Sequence, residues 1–199
     1  MSEAAGEATE PVAELDPETA ARRRAALRHV RKWGDPILRS RAREVTGFGD
    51  DLRDQIGRMG LLMHDSLGIG LAAPQFGVAN RVLVYRVEPE SPINAVINPV
   101  VEFSSRDQEW LEEGCLSLPA VHVDVERPIH IRVRARDAAG EEILIEASGL
   151  EARVLQHEID HLDGVLILDR CKRDQRRPAM RAMREALEQL EDEAGAGAG

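Results

Sequence analysis

Through the middle of the chain, apolar and polar positions alternate with a period of two. Val121, Val123 and Val125 are followed by Ile129, Ile131, Val133 and Ala135. Such alternation predicts half-buried antiparallel strands, with His130, Arg132, Arg134 and Arg136 turned to solvent. Residues 81–87, 94–103 and 142–147 are rich in Val and Ile and read as further strands. On either side the period changes to that of a helix. Leu52, Ile56, Met59 and Met63 predict an amphipathic helix over 50–66. After a turn at Gly149, Leu150, Val154, His157 and His161 fall on one stripe of another. Met180, Met183, Leu187 and Leu190 mark a last helix from about Pro178 to Asp192 that packs on the domain. Asp16-Pro17-Glu18 caps a short helix running through Arg28, its arginines a solvated face. Residues 1–15 and 195–199 have no periodicity and are read as disordered.

Composition narrows the class. The 199 residues make about one domain, and 43% hydrophobic content with only 3% aromatic gives a largely aliphatic core. A net charge of −10 argues against a protein that binds DNA or RNA over its whole surface. The arginine row at 130–136 has acidic residues around it and reads as a strand face. No apolar run approaches the roughly 20 residues of a membrane span, and the N-terminus lacks signal or transit character. The expectation is a cytoplasmic protein. There a reducing environment keeps Cys115 and Cys171 as thiols, Cys171 an incidental one.

Candidate chemistry lies in Gln156-His157-Glu158-Ile159-Asp160-His161. Histidines four apart share one helix face and can hold one metal ion. With 6 histidines among 199 residues, His-Glu-x-x-His is expected by chance about 0.02 times. Glu158 leaves the helix about 100° round from His157, placed as an acid/base group and not a ligand. A zinc protease would carry its third ligand downstream, but no histidine follows His161. Asp163, Asp169 and Glu185 sit at a helix end or in surface segments. Cys115, in Glu113-Gly114-Cys115-Leu116-Ser117, is the better third ligand. Two nitrogens, one sulfur and an open position for water suit a thiolate-tolerant divalent ion in a hydrolase.

Three blocks together resemble the peptide deformylases: Gly68-Ile69-Gly70-Leu71-Ala72-Ala73-Pro74-Gln75, Glu113 to Ser117, and Gln156 to Gly164. Gly34-Asp35-Pro36-Ile37-Leu38-Arg39 is a weaker fourth. With the periodicities, the resemblance implies an α+β fold of mixed, mainly antiparallel sheets packed around a central metal-binding helix, with a C-terminal helix. The organisation expected is an N-terminal extension over 1–28, partly disordered; a catalytic domain over 29–175; the helix over 176–194; and a tail. The implied activity is removal of the N-formyl group from the formylmethionine of nascent peptides, releasing formate.

The implied ion is Fe(II), one per chain, with zinc, nickel or cobalt able to take the site in purified protein. Gln75 and the Leu116 backbone N–H would join Glu158 in catalysis, as donors to the developing oxyanion. Gly68, Ile69 and Gly70 would let a peptide pair as an added strand, since that stretch lacks the pattern of a phosphate loop. Ile69, Leu111, Leu150 and Val154 are candidates for the methionine pocket, although ordinary core is an equal reading of all four. Glu113 and Gly114 would support the ligands, Glu113 as an orienting carboxylate. The basic run Arg170 to Arg177 is a candidate ribosome contact, with a solvated helix end the plainer reading. Another metal-dependent amidase or peptidase, and a noncatalytic metal protein, are the rival classes.

Overall fold

A computed structural model describes residues 15–196. The disorder expected of 1–14 and 197–199 falls outside that range. Asp16 caps the first helix as its sequence demands, its carboxylate accepting the Thr19 N–H at 2.9 Å, and α1 runs Pro17–Leu27. A 3₁₀ turn, Pro36–Arg39, leads towards α2 (Asp50–Asp65). There follow β1 (Gly70–Ala72), α3 (Ala73–Phe76), β2 (Val82–Tyr85), β3 (Asn94–Ser104), β4 (Gln108–Cys115), β5 (Leu118–Pro128), β6 (His130–Arg136) and β7 (Glu142–Ser148). The chain closes with α4 (Gly149–Leu162), α5 (Ile167–Arg170) and α6 (Arg173–Ala196).

The strands form a five-stranded antiparallel sheet in the order β1-β2-β3-β6-β7 and a separate β4-β5 pair. The alternation resolves as its period requires. On β6, Ile131, Val133 and Ala135 are buried while His130, Arg132, Arg134 and Arg136 are exposed. β2 is buried at all four positions, because helices cover both faces of the sheet there. On one face Leu83, Tyr85 and Val133 pack with Leu155, Ile159 and Leu162 of α4. On the other, Val82, Val84 and Ile97 pack with Met59 and Met63 of α2. A third cluster joins Val121, Val123 and Val125 of β5 to Ala179 and Met183 of α6. Each fully buried Val, Leu or Met contributes about 1.5–3 kcal/mol. Helix α4 is thus central, held between the large sheet and the small one.

The structure departs from the expected elements at β4 and at both ends of α6. Strand β4 was not predicted, because Gln108 to Glu112 are all exposed and offer no apolar face to read. Helix α6 begins at Arg173, five residues before the expected start, and carries Pro178 within its second turn. Proline there removes one main-chain N–H donor from the helix without ending it. Gly195 and Ala196, expected in the tail, continue α6. No helix among the described residues is long and apolar enough to cross a membrane.

Candidate active site

Helix α4 places Arg153, His157 and His161 four residues apart on a stripe facing the β4-β5 pair. Cys115 ends β4 where the register with β5 shifts, between Gly114 and Cys115, which breaks the regular pairing beside the helix. The Cys115 sulfur lies 3.2 Å from His161 Nε2. One donor atom from each of Cys115, His157 and His161 lies within 4.8 Å of the others. Ligands of a tetrahedral ion with S at 2.3 Å and N near 2.0–2.1 Å stand about 3.5 Å apart. The cluster is therefore of the right size and donor type to hold one divalent ion.

Its electrostatics agree. Burial opposes protonation of both rings, but Cys115 and Glu113 outweigh it at His157 and hold that ring's pKa well above the usual histidine value. Burial and the neighbouring His157 charge hold His161 well below it. Sulfur and carboxylate thus draw positive charge into a buried spot.

Glu113 orients the first histidine. Its Oε2 lies 3.0 Å from His157 Nδ1, which turns Nε2 towards the cluster. The same carboxylate is gripped by Arg127, with Nε to Oε1 at 2.6 Å and Nη2 to Oε2 at 2.9 Å, and by Arg153 Nη1 at 2.7 Å. Arg127 also donates to Asp160 at 2.9 Å, and Asp160 takes both arms of Arg170. Glu113, Arg127, Arg153 and Asp160 are all buried. Burial pushes the Glu113 carboxyl up, but hydrogen bonds from His157 and Arg127 outweigh it and hold the group ionised well below the usual range.

Glu158 stands beside the cluster in another environment. It is 4% exposed, its Oε2 has no hydrogen-bond partner among the described residues, and burial pushes its pKa up to about 7. Gly70 makes room for it: a Cβ there would lie 2.9 Å from Glu158 Cγ and Cδ. A Cβ at Gly68 would likewise lie 2.9 Å from Leu116 Cδ1. The Gln75 amide has a fixed orientation, because its Oε1 accepts the Ala72 N–H at 2.8 Å. Its Nε2 then points inward, 3.3 Å from Ser117 Oγ and 3.7 Å from Cys115 Sγ. The segment before the 3₁₀ turn ties both sides together. Arg31 N–H donates to Gln75 O, Trp33 N–H to Ser117 O, and Lys32 Nζ to Leu116 O at 3.1 Å.

These groups border a cavity of about 910 Å³. Gly68, Ile69, Gly70, Glu113, Gly114, Leu116, Leu150 and Val154 all line it, so the sequence-predicted residues come together, with one exception. Leu111 does not line the cavity; it stands on β4 opposite Val125 and is 44% exposed. Of the rejected ligands, Asp163 pairs with Arg81 and Asp169 with Arg39. His130 is on the surface, and exposed His122 is at the rim beside Glu112.

Sequence reasoning missed Arg127, Arg153, Asp160, Ser117 and Lys32. Two of these carried a signal: Arg127 continues the buried Val121-Val123-Val125 register, and Arg153 lies one turn before His157 on the metal stripe. A cation in phase with core positions is a buried cation with a partner. Lys32 and Ser117 act across long sequence separations, and nothing local marks them.

An α+β scaffold with a Cys-His-His cluster, a spare buried glutamate and a peptide-sized cavity is the build of a metal-dependent hydrolase. Residues 27–177 match the polypeptide deformylase family. The chain is 44% identical over 161 residues to a peptide deformylase of Acidothermus cellulolyticus, covering 81% of this chain and 88% of that protein. It is 48% identical over 143 residues to one from Thermotoga neapolitana, covering 72% and 86%. Its fold superposes on a Synechococcus elongatus peptide deformylase in complex with actinonin with a TM-score of 0.74, at 40% identity and 76% and 85% coverage. For a Plasmodium falciparum peptide deformylase the TM-score is 0.77, at 34% identity and 82% and 97% coverage. The chain belongs to the polypeptide deformylase family, metal-dependent enzymes that remove the formyl group from the N-terminal formylmethionine of newly made proteins.

Proposed function

We propose that this chain carries out the family reaction with Cys115, His157 and His161 as metal ligands and Glu158 as the group that moves the proton. One observation supports this above the others: a buried glutamate with an unpartnered oxygen stands beside a three-ligand cluster. A purely structural site would instead use a fourth protein ligand. When bound, the ion supplies a Lewis acid that polarises the formyl carbonyl and makes water acidic near neutral pH.

Glu158 takes a proton from the attacking water and gives it to the departing amine, so formamide and water become formate and a free N-terminus. Gln75 Nε2 and the Leu116 N–H donate to the formyl oxygen as it gains charge. The Ala72 N–H and Lys32 hold those two donors in place from behind. Glu113 fixes the His157 ring, and Gly114, where a Cβ would lie 3.3 Å from the His122 ring, lets β4 and β5 approach beside Cys115. Ile69, Leu150 and Val154 form the apolar wall for methionine, reached between the edges of β1 and β4.

The working ion in this reading is Fe(II), with zinc, nickel or cobalt able to replace it. The enzyme works in the cytoplasm, and within the basic run Arg170 to Arg177 any ribosome contact falls to Arg173 and Arg177. Arg170, Lys172 and Arg176 are already paired with Asp160, Asp124 and Asp169.

The test is anaerobic formate release from formyl-Met-Ala-Ser by protein reconstituted with Fe(II), with metal content measured on the same sample. Release should vanish on chelation and in Cys115→Ala. Glu158→Ala should keep the ion and fold while losing on the order of 10²–10⁴ in rate. Unchanged activity of that variant would remove Glu158 from the mechanism. Gly70→Ala, whose new methyl group meets the Glu158 side chain first, should lose rate with metal content unchanged.

A further inference from the structure

The arginines of α1 are exposed, as a solvated face should be, but they are not scattered over the surface. Arg23, Arg24 and the capping Arg28 line the same cavity as Cys115, His157 and Glu158. None of the three has a carboxylate partner among the described residues, whereas their neighbours Arg22 and Arg31 pair with Asp65 and Asp35. Arg23 spends only Nε, on the Ser66 carbonyl at 3.3 Å.

Of the acidic groups lining the cavity, Glu113 is locked in its arginine network and Glu158 is buried, which leaves Glu112, 68% exposed beside His122, as the exposed carboxylate set against the three arginines. The rim is thus cationic in a protein whose net charge is −10. Arg23 and Arg24 also precede the region matched to the family model, which starts at residue 27.

At about 910 Å³ the cavity is near the top of the roughly 300–1,000 Å³ usual for ligand sites. That volume takes more than a formylmethionine. Arg23, Arg24 and Arg28 line this cavity and are exposed, so they stand on its solvent side, the side towards which residues after methionine must leave. Resting on the deformylase reading, we propose that Arg23, Arg24 and Arg28 form a cationic rim that selects nascent peptides carrying acidic residues shortly after the initiator methionine. A peptide fits better than a nucleic acid. The rim lines the catalytic cavity, and a polyanion long enough to run past its three cations would meet the remaining surface of a protein whose net charge is −10.

The experiment compares kcat/KM for amidated formyl-Met-Ala-Glu-Glu, formyl-Met-Ala-Ser-Ser and formyl-Met-Ala-Lys-Lys on Fe(II)-loaded full-length protein; amidation removes the terminal carboxylate. The expected order is acidic, neutral, basic, with about tenfold between the extremes at low ionic strength, carried by KM and collapsing towards one in 0.5 M salt. Replacing the three arginines by glutamine should bring the acidic-to-basic ratio close to one, and replacing them by glutamate should invert it. Each ratio is taken within one variant, so a general loss of activity does not mimic the effect. Equal kcat/KM for the three peptides in the wild type overturns the proposal, as does a ratio that survives both triple variants. Variants that lose affinity for an RNA oligonucleotide but keep the peptide ratio assign the rim to a polyanion and also overturn it. No formate from the neutral peptide, on folded and metallated protein, is a different failure: it removes the deformylase reading and the rim with it.

Discussion

Two sets of arginines, one on the large sheet and one between the small sheet and α4, behave oppositely. On β6, Arg132 meets Glu146 and Arg134 meets Glu102 across neighbouring strands, with all four side chains at least 38% exposed. Behind the Cys115-His157-His161 cluster, Arg127 and Arg153 meet Glu113 and Asp160 with side chains at most 10% exposed. The residue types are the same, and so are the contact distances. What differs is the solvent. Water screens the outer pairs and replaces any partner that is lost, so each is worth little. In the buried network every missing partner leaves an uncompensated charge in a poor dielectric, and the geometry becomes obligatory. That is a useful property behind a ligand: the network fixes the Glu113 carboxylate, and Glu113 fixes His157.

The largest effect should follow from opening the buried set. Glu113→Ala leaves Arg127 and Arg153 without their shared carboxylate and should cost about 3–5 kcal/mol. Denaturant unfolding of the metal-loaded protein measures it, and a loss under 1 kcal/mol would mean that water enters the network and the two regions are alike. Glu113→Gln keeps shape and removes charge. It should weaken metal affinity about 10–100-fold, read by competition with a chelator of known strength, with rate falling in parallel at limiting metal.

Much of this contrast was written in the chain. Val121, Val123, Val125 and the Ile131-Val133-Ala135 run place the outer arginines on a wet face by period alone. The His157–His161 spacing and Cys115 mark the residues that come together as the candidate metal cluster, and the capped start of α1 is local chemistry at Asp16. The missed parts share a cause. β4 carries its polar side chains into solvent and owes its existence to backbone pairing with β5, which leaves no hydrophobic trace. The partners of Arg127 lie 14 and 33 residues away and become neighbours only through tertiary packing. Its register betrays that it is buried, but not what it holds. Gly70 tells the same story: its role is the volume of Glu158, 88 positions along.

An intermediate case sharpens the comparison. Asp169 is 30% exposed and pairs with Arg39, with Arg176 close by. Burial raises its carboxyl, and the hydrogen bonds from Arg39 and from the Leu166 N–H outweigh this and lower it below the usual aspartate value. A carboxyl lowered by folding contributes stability that is present above its unfolded pKa of about 4 and is lost as pH falls through the folded value. Asp169→Asn should therefore lower stability at neutral pH and flatten the acid limb of the stability curve below about pH 4. Urea midpoints between pH 3 and 7 test this. An acid limb as steep as that of the parent would mean that the pair contributes nothing there.

The smallest effect belongs to the outer row. The Arg132–Glu146 pair, at 2.5 Å with side chains 45% and 61% exposed, is as close as any in the buried network. If distance set the energy it would match Arg127–Glu113; if exposure sets it, it should contribute about 0.2–1 kcal/mol and fade with salt. A double-mutant cycle of Arg132→Ala and Glu146→Ala isolates the pair, because each side chain faces solvent and its removal leaves nothing buried behind. A coupling energy below about 1 kcal/mol, reduced further in 0.5 M salt, is the expected result. Coupling as large as the loss in Glu113→Ala, or indifferent to salt, would show that the β6 face is shielded from water, and the arginine row would then need a function of its own.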